Sequence, residues 1–142
     1  MPTLNGGCLC GAIRYTVDAD IKDLRACHCT NCQKASGAGG SVNAVLKTEQ
    51  IKITKGTPKR HAGVADSGRT LYRFFCGDCG SPLYSQRETA PEMSVLRIGT
   101  LDDQPAGLKI AAHIWTRSAR SWDHIDPGAK QFPQQPDLPP AK

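Results

Sequence analysis

Aromatic side chains are scarce in this chain, at 6% of 142 residues, and no Lys/Arg run is longer than the pair Lys59-Arg60. Single-stranded nucleic acid is held by basic grooves interleaved with stacking aromatics, so a nucleic-acid partner has little warrant here. No apolar stretch approaches the roughly 18 to 20 residues of a membrane span, which gives the expectation of no membrane partner. The opening segment MPTLNGG has neither the basic nor the apolar region of a secretory signal, so a cytoplasmic location is expected. Long amphipathic helical patterns are missing, and so are a Walker loop, a GxGxxG fingerprint and a Ser-His-Asp order.

Against those absences stand seven cysteines in three tight clusters: Cys8 and Cys10 in GGCLCG, Cys27, Cys29 and Cys32 in CHCTNC, and Cys76 and Cys79 in FCGDCGS. In a reducing compartment, thiols spaced one and two residues apart around glycines read as metal chelates. An odd count fits a disulfide framework poorly. A closed tetrahedral site consumes four thiolates and leaves a group of three, whose fourth position is open for chemistry. The partition expected pairs the CxxCG knuckle of Cys76 and Cys79 with Cys8 and Cys10, leaving Cys27, Cys29 and Cys32 together. The formal charge is +5, and seven thiolates against two zinc ions would remove three of those charges. The small excess that remains suits a small anionic substrate.

The rest of the chain reads as a single, mostly β domain. Ala12–Val17 alternates Ile13, Tyr15 and Val17 with polar residues, the period of a half-buried strand. Gln50–Lys55, Leu71–Phe75, Met93–Thr100 and Leu108–Trp115 carry similar β signals. Thr30–Ala35 can supply one helical turn, and Ser36–Ser41, with three glycines, a turn after it. An antiparallel β-fold clipped together by metal knuckles is therefore expected. Beyond Gln131 the prolines 133, 136, 139 and 140 suggest an extended or disordered tail.

The three-thiol cluster has two readings. His61, His113 or His124 could close it into a staple, or it could remain open. His28, between two thiols of an extended CxC segment, points away from both and makes a poor fourth ligand. Iron is the other metal that accepts four thiolates. A redox dithiol at Cys76 and Cys79 is disfavoured, since they do not sit at a strand-to-helix junction. Gln33, Lys34 and Ser36, next to Cys32, are expected to line whatever occupies the open position. Arg117, Arg120 and Trp122 form a second candidate, a clamp for a carboxylate. Trp115, Trp122, Phe132 and Tyr84 are read as core or tail-anchoring aromatics.

The segments GGCLCGAIRY, CHCTNCQKASG, FFCGDCGSPLY and HIWTRSARSWDHID, in this order, resemble the glutathione-dependent formaldehyde-activating (GFA, or CENP-V/GFA-like) family from about Gly6 to Phe132. The resemblance implies an Mss4-like antiparallel β-fold stapled by zinc, with a zinc domain over residues 1–132 and a proline-rich C-terminal tail over 133–142. It also implies two zinc ions per chain. By similarity Cys8, Cys10, Cys76 and Cys79 hold a structural zinc, and Cys27, Cys29 and Cys32 an exposed second one. The implied activity is that of a carbon-sulfur lyase, similar to S-(hydroxymethyl)glutathione synthase, with glutathione and formaldehyde as partners. A glutathione carrier or sensor without turnover and a zinc-stabilised interaction module are the competing readings. Fold and metal sites transfer more safely than substrate.

Overall fold

The computed structural model describes residues 2–65 and 67–136. In chain order the elements are β1 (Thr3–Gly7), β2 (Arg14–Asp18), β3 (Asp23–Cys27), α1 (Thr30–Ser36), β4 (Ser41–Lys47), β5 (Ile51–Lys55), β6 (Lys59–Val64), β7 (Thr70–Phe75), β8 (Pro82–Arg87), β9 (Ala90–Arg97), β10 (Lys109–Ile114) and β11 (Lys130–Gln131). They form a three-stranded sheet in the order β1-β2-β5 and an eight-stranded sheet in the order β11-β10-β3-β4-β9-β8-β7-β6. Pairing is antiparallel except where β10 runs parallel to β3 and to β11. The expected mostly antiparallel β-fold is what the chain adopts.

Alternation decides which faces meet. Tyr15 and Val17 of β2 point inward against Ala44 and Leu46 of β4, Leu83 of β8 and Leu96 of β9, and together they form the main core. Polar ties reinforce the contact between the sheets. Tyr15 Oη lies 2.6 Å from Thr100 Oγ1, the Asp102 amide donates to Asn5 O at 2.8 Å, and Arg14 pairs with Asp102.

The opposite face of the large sheet carries a different set, because residues paired across strands project on the same side. Arg25, Asn43 and Arg97 form one cross-strand row, and Val45, Val95, Ser85 and Arg73 form the next. The strand β6 ends near α1, where Asn31 Nδ2 donates to Val64 O at 3.1 Å, so the β6–β7 hairpin closes over this face. Those contacts produce a hollow beside α1.

Gly40, at the entry to β4, fixes how closely that strand approaches the CHC segment. A β-carbon there would stand 2.0 Å from the Cys27 carbonyl oxygen. Gly40→Ala is expected to destabilise the fold by about 2 kcal/mol or more and to lower metal content at the three-thiol cluster. Thermal unfolding and metal analysis check this, and a variant equal to the parent in both contradicts it.

Candidate metal centres and the cavity beside them

Two loops from different sheets meet at the first cluster. Cys8 and Cys10 lie between β1 and β2 of the small sheet, and Cys76 and Cys79 between β7 and β8 of the large one. Their four sulfurs all lie within 4.8 Å of one another, with Cys8–Cys10 at 3.6 Å and Cys10–Cys76 at 3.8 Å. Four sulfurs at tetrahedral corners around a zinc are separated by about 3.8 Å. The donor set and its spacing therefore fit a closed thiolate metal site. Gly80, at φ +80°, lets the knuckle turn back so that its amide reaches Cys76 O at 2.8 Å. The amides of Ile13 and Asp78 point at Cys8 Sγ (3.2 Å) and Cys76 Sγ (3.4 Å), and the first of these contacts favours the Cys8 thiolate. Hydrogen bonds from the Ser81 hydroxyl and amide pull Cys79 down to about 5.

The second cluster sits at the end of β3 and the start of α1. Cys27, Cys29 and Cys32 are all buried, their sulfurs within 4.8 Å of one another, and they pack with Ile114, Trp115 and Phe132 in a small core of their own. Cys29 is both a candidate ligand and the helix N-cap, its sulfur accepting from the Cys32 amide at 3.2 Å. Contacts from Cys27 and Cys29, together with the charge of Arg97, draw Cys32 down to about 2. The same thiol contacts, with burial, push Cys27 upward, so one ionised sulfur is shared by its neighbours. Three soft donors fit a thiophilic ion. Among the described residues no fourth Cys, His, Asp or Glu joins the group.

The histidines have other partners. The Asp126 amide donates to His113 Nε2 (3.3 Å), which makes His113 Nδ1 the protonated nitrogen facing His28 Nε2 (2.8 Å). His28 Nδ1 is then the donor to Asp123 Oδ2 at 3.0 Å. This hydrogen-bonded chain ties the CHC segment to the 123–126 loop and turns His28 away from the sulfurs. Burial, and the repulsion that a protonated His28 would exert, lower the His113 pKa. The folded state thus takes up this proton at lower pH than the unfolded chain, whose value is about 6.5. Stability from this group is present above 6.5 and is lost as pH falls from there through the folded value. The His113 ring in the metal-loaded protein is expected to titrate below 6.5 by NMR, and a midpoint at or above 6.5 contradicts the burial that lowers it.

The thiols face a cavity of about 240 Å³. Its polar wall includes Arg25, Arg69, Arg73, Arg87 and Arg97, and among its described lining residues none is acidic. Val95, Met93, Ile114 and Trp115 supply apolar wall. Trp115 is held at φ 58°, a costly left-handed conformation for a bulky residue. Its amide and indole N–H donate to Gln134 O (3.4 Å) and Gln135 Oε1 (3.2 Å), and Ser118 N donates to its carbonyl at 3.0 Å.

Comparison with known proteins places this arrangement. The family model described as glutathione-dependent formaldehyde-activating enzyme matches residues 3–118, all but the last part of the chain. The chain belongs to the GFA family. Curated GFA relatives provisionally named glutathione-dependent formaldehyde-activating enzymes include one from Penicillium rubens, 28% identical over 57% of this chain and 41% of its own length. Another from Colletotrichum graminicola is 29% identical over 61% of this chain and 47% of its own. A third, from Fusarium vanettenii, is 30% identical over 57% and 42%. The matches thus span less than half the length of these relatives. A crystal structure of a Rhodobacter sphaeroides protein shares the fold, with a TM-score of 0.58, 20% identity, and coverage of 72% of this chain and 92% of that one.

Not every residue singled out in the sequence reaches the GFA cavity. Gln33 is buried but fully used elsewhere: Nε2 donates to His28 O and Ser118 O, both at 2.8 Å, and Oε1 accepts from Arg120 Nε at 2.6 Å. Lys34 and Ser36 are exposed and are not among the lining residues. Arg120 is thereby a structural tie, and Arg117 lies over the Trp115 ring at 5.1 Å to its centroid. The guanidiniums beside the thiols are others. Trp122, read as core, is 69% exposed, because its loop turns it outward while Asp123 and Asp126 face the histidines. Tyr84 stacks on Phe74, and Phe132 packs on the three-thiol core. His61 lines a separate, smaller cavity and His124 is exposed. Residues 137–142 of the proline-rich tail lie outside the described residues.

Proposed function

We propose that this chain is a zinc-dependent carbon-sulfur lyase that adds glutathione, or a similar small thiol, to formaldehyde or another aldehyde, or cleaves the adduct. The observation that carries this reading is the juxtaposition of a three-thiol cluster with a cavity walled by arginines. Cys8, Cys10, Cys76 and Cys79 would hold a structural zinc, and Cys27, Cys29 and Cys32 the second. Zinc bound by three thiolates supplies a Lewis acid with a free position, suited to ionising and orienting an incoming thiol. Two of the arginines, Arg69 just before β7 and Arg87 at the end of β8, are suited to bidentate pairing with the carboxylates of the tripeptide. Trp115, Ile114 and Val95 exclude water from the thiols and strengthen those pairings. At about 240 Å³ the cavity lies below the usual size of roughly 300 Å³ or more for an enclosing ligand site, so the ends of a tripeptide would extend beyond it.

The test is the rate of adduct formation from glutathione and formaldehyde with the zinc-loaded protein, set against the spontaneous reaction. Saturable acceleration supports the lyase. A rate equal to the background, with glutathione bound, selects the carrier.

A further inference from the structure

Arg73 and Arg97 stand where the thiol cavity meets the second cavity, about 140 Å³, whose lining also includes His61, Phe74 and Tyr84. Arg97 occupies the row beside the sulfurs: it pairs with Asn43, two residues along β4 from Ser41, the partner of Cys27. Asn43 aims it, accepting from Nη1 at 2.7 Å while its own Nδ2 donates to Ser41 Oγ at 2.9 Å. That partner is neutral, so the guanidinium charge is met by the thiol cluster and not by an acidic side chain. Arg73, in the adjacent row, adds a like charge, and its Nε is buried without a hydrogen-bond acceptor among the described residues. Three thiolates with a divalent ion carry one net negative charge and can offset only one of the two cations. A buried guanidinium donor without an acceptor is costly. The arrangement lacks an anion.

Neither substrate of the named reaction supplies one at this place. Formaldehyde is uncharged. The carboxylates of glutathione are several bonds from its sulfur. A carboxylate next to the sulfurs belongs to a molecule in which it is bonded directly to the reacting carbonyl carbon.

Building on the lyase reading, we infer that the Arg73–Arg97 pair binds the carboxylate of the electrophile, so that the carbonyl substrate is a small 2-oxo acid. The thiolate sulfur adds to the oxo carbon, the C–S bond forms as the C=O π bond opens, and the proton released by the thiol ends on the new hydroxyl. No oxidant or reductant is needed. The product is an S-substituted 2-hydroxy acid, and the reverse reaction returns the thiol and the oxo acid.

Glyoxylate is the probe. With zinc-loaded protein and glutathione, kcat/KM for glyoxylate is expected to exceed that for formaldehyde by about tenfold or more, the scale of one charge-assisted pair. Arg73→Gln is expected to lower kcat/KM for glyoxylate by about ten- to a hundredfold, mostly through KM, and to affect formaldehyde far less. Arg73→Lys, which keeps the charge and loses the fork, should recover part of the glyoxylate rate, a rescue that a merely misfolded variant would not give. Titration of glyoxylate without glutathione is expected to shift the Arg73 Nε–H resonance. Glyoxylate no better than formaldehyde, equal losses for both aldehydes in Arg73→Gln, or a loss falling on the glutathione KM overturns the inference. Turnover of neither aldehyde, with the Arg73 resonance still shifting, would instead remove the lyase reading and leave the carboxylate site standing.

Discussion

Cys76→Ser is expected to cost on the order of 5 kcal/mol and to leave much of the chain unfolded at 37 °C. The four sulfurs of the first cluster connect the β1–β2 turn of one sheet to the β7–β8 turn of the other. Cys76 is itself 1% exposed and part of the main core. Serine in its place removes a soft ligand and leaves a hydroxyl in an apolar setting, and metal binding at such sites is largely folding free energy. With domain stabilities of about 5–15 kcal/mol, that loss consumes a large fraction of the total. Metal content and near-ultraviolet circular dichroism check it. A variant with parental metal content and a cooperative transition near the parental temperature would show that the cluster is not a staple.

Cys29→Ser should behave in the opposite way, with turnover reduced by about a hundredfold or more and most of the stability retained. The three-thiol cluster lies in its own small core, apart from the packing between the sheets. Serine is also a good N-cap, so its hydroxyl can accept from the Cys32 amide as the sulfur does at 3.2 Å, and α1 keeps its start. What is lost is one of three soft ligands at the position facing the arginines. Adduct formation above the spontaneous rate and thermal unfolding are the paired readouts. Activity equal to the parent would separate the chemistry from this cluster. A collapse of the fold would mean that the second cluster is structural too.

Both thiol clusters were legible in the sequence because their sulfurs are local: CLC, CHCTNC and CGDC each place sulfurs within a turn, and only the pairing of Cys8 and Cys10 with Cys76 and Cys79 needs the fold. β2 and β5 were legible because Tyr15, Val17, Ile51 and Ile53 alternate against polar residues. The strand β6, KRHAGV, was not, since an edge strand exposed along nearly its whole length has no apolar face to betray it. The cavity arginines were hidden for a related reason. Arg25, Arg73 and Arg97 come from three strands and meet only through cross-strand register. A usable signal did exist: Arg69, Leu71 and Arg73 recur with period two, as do Met93, Val95 and Arg97, so cations sit on a face whose opposite side is core. Adjacency alone did not bring Gln33, Lys34 and Ser36 to the cavity, because Gln33 is held by His28, Ser118 and Arg120 while Lys34 and Ser36 stay exposed outside its lining. The left-handed Trp115 has no local signal, since its conformation is imposed by the 133–135 segment and the loop after it.

The most direct test of an open, thiol-accepting metal centre is a glutathione titration of the cobalt-substituted protein followed by visible absorption. Thiolate-to-cobalt charge transfer reports tetrahedral sulfur ligation at each site. The account predicts a saturable spectral change at one equivalent of glutathione per chain, present in the parent and absent in Cys29→Ser. A spectrum that stays constant with both sites filled would mean that both metals are closed to thiols, and the lyase reading would fall.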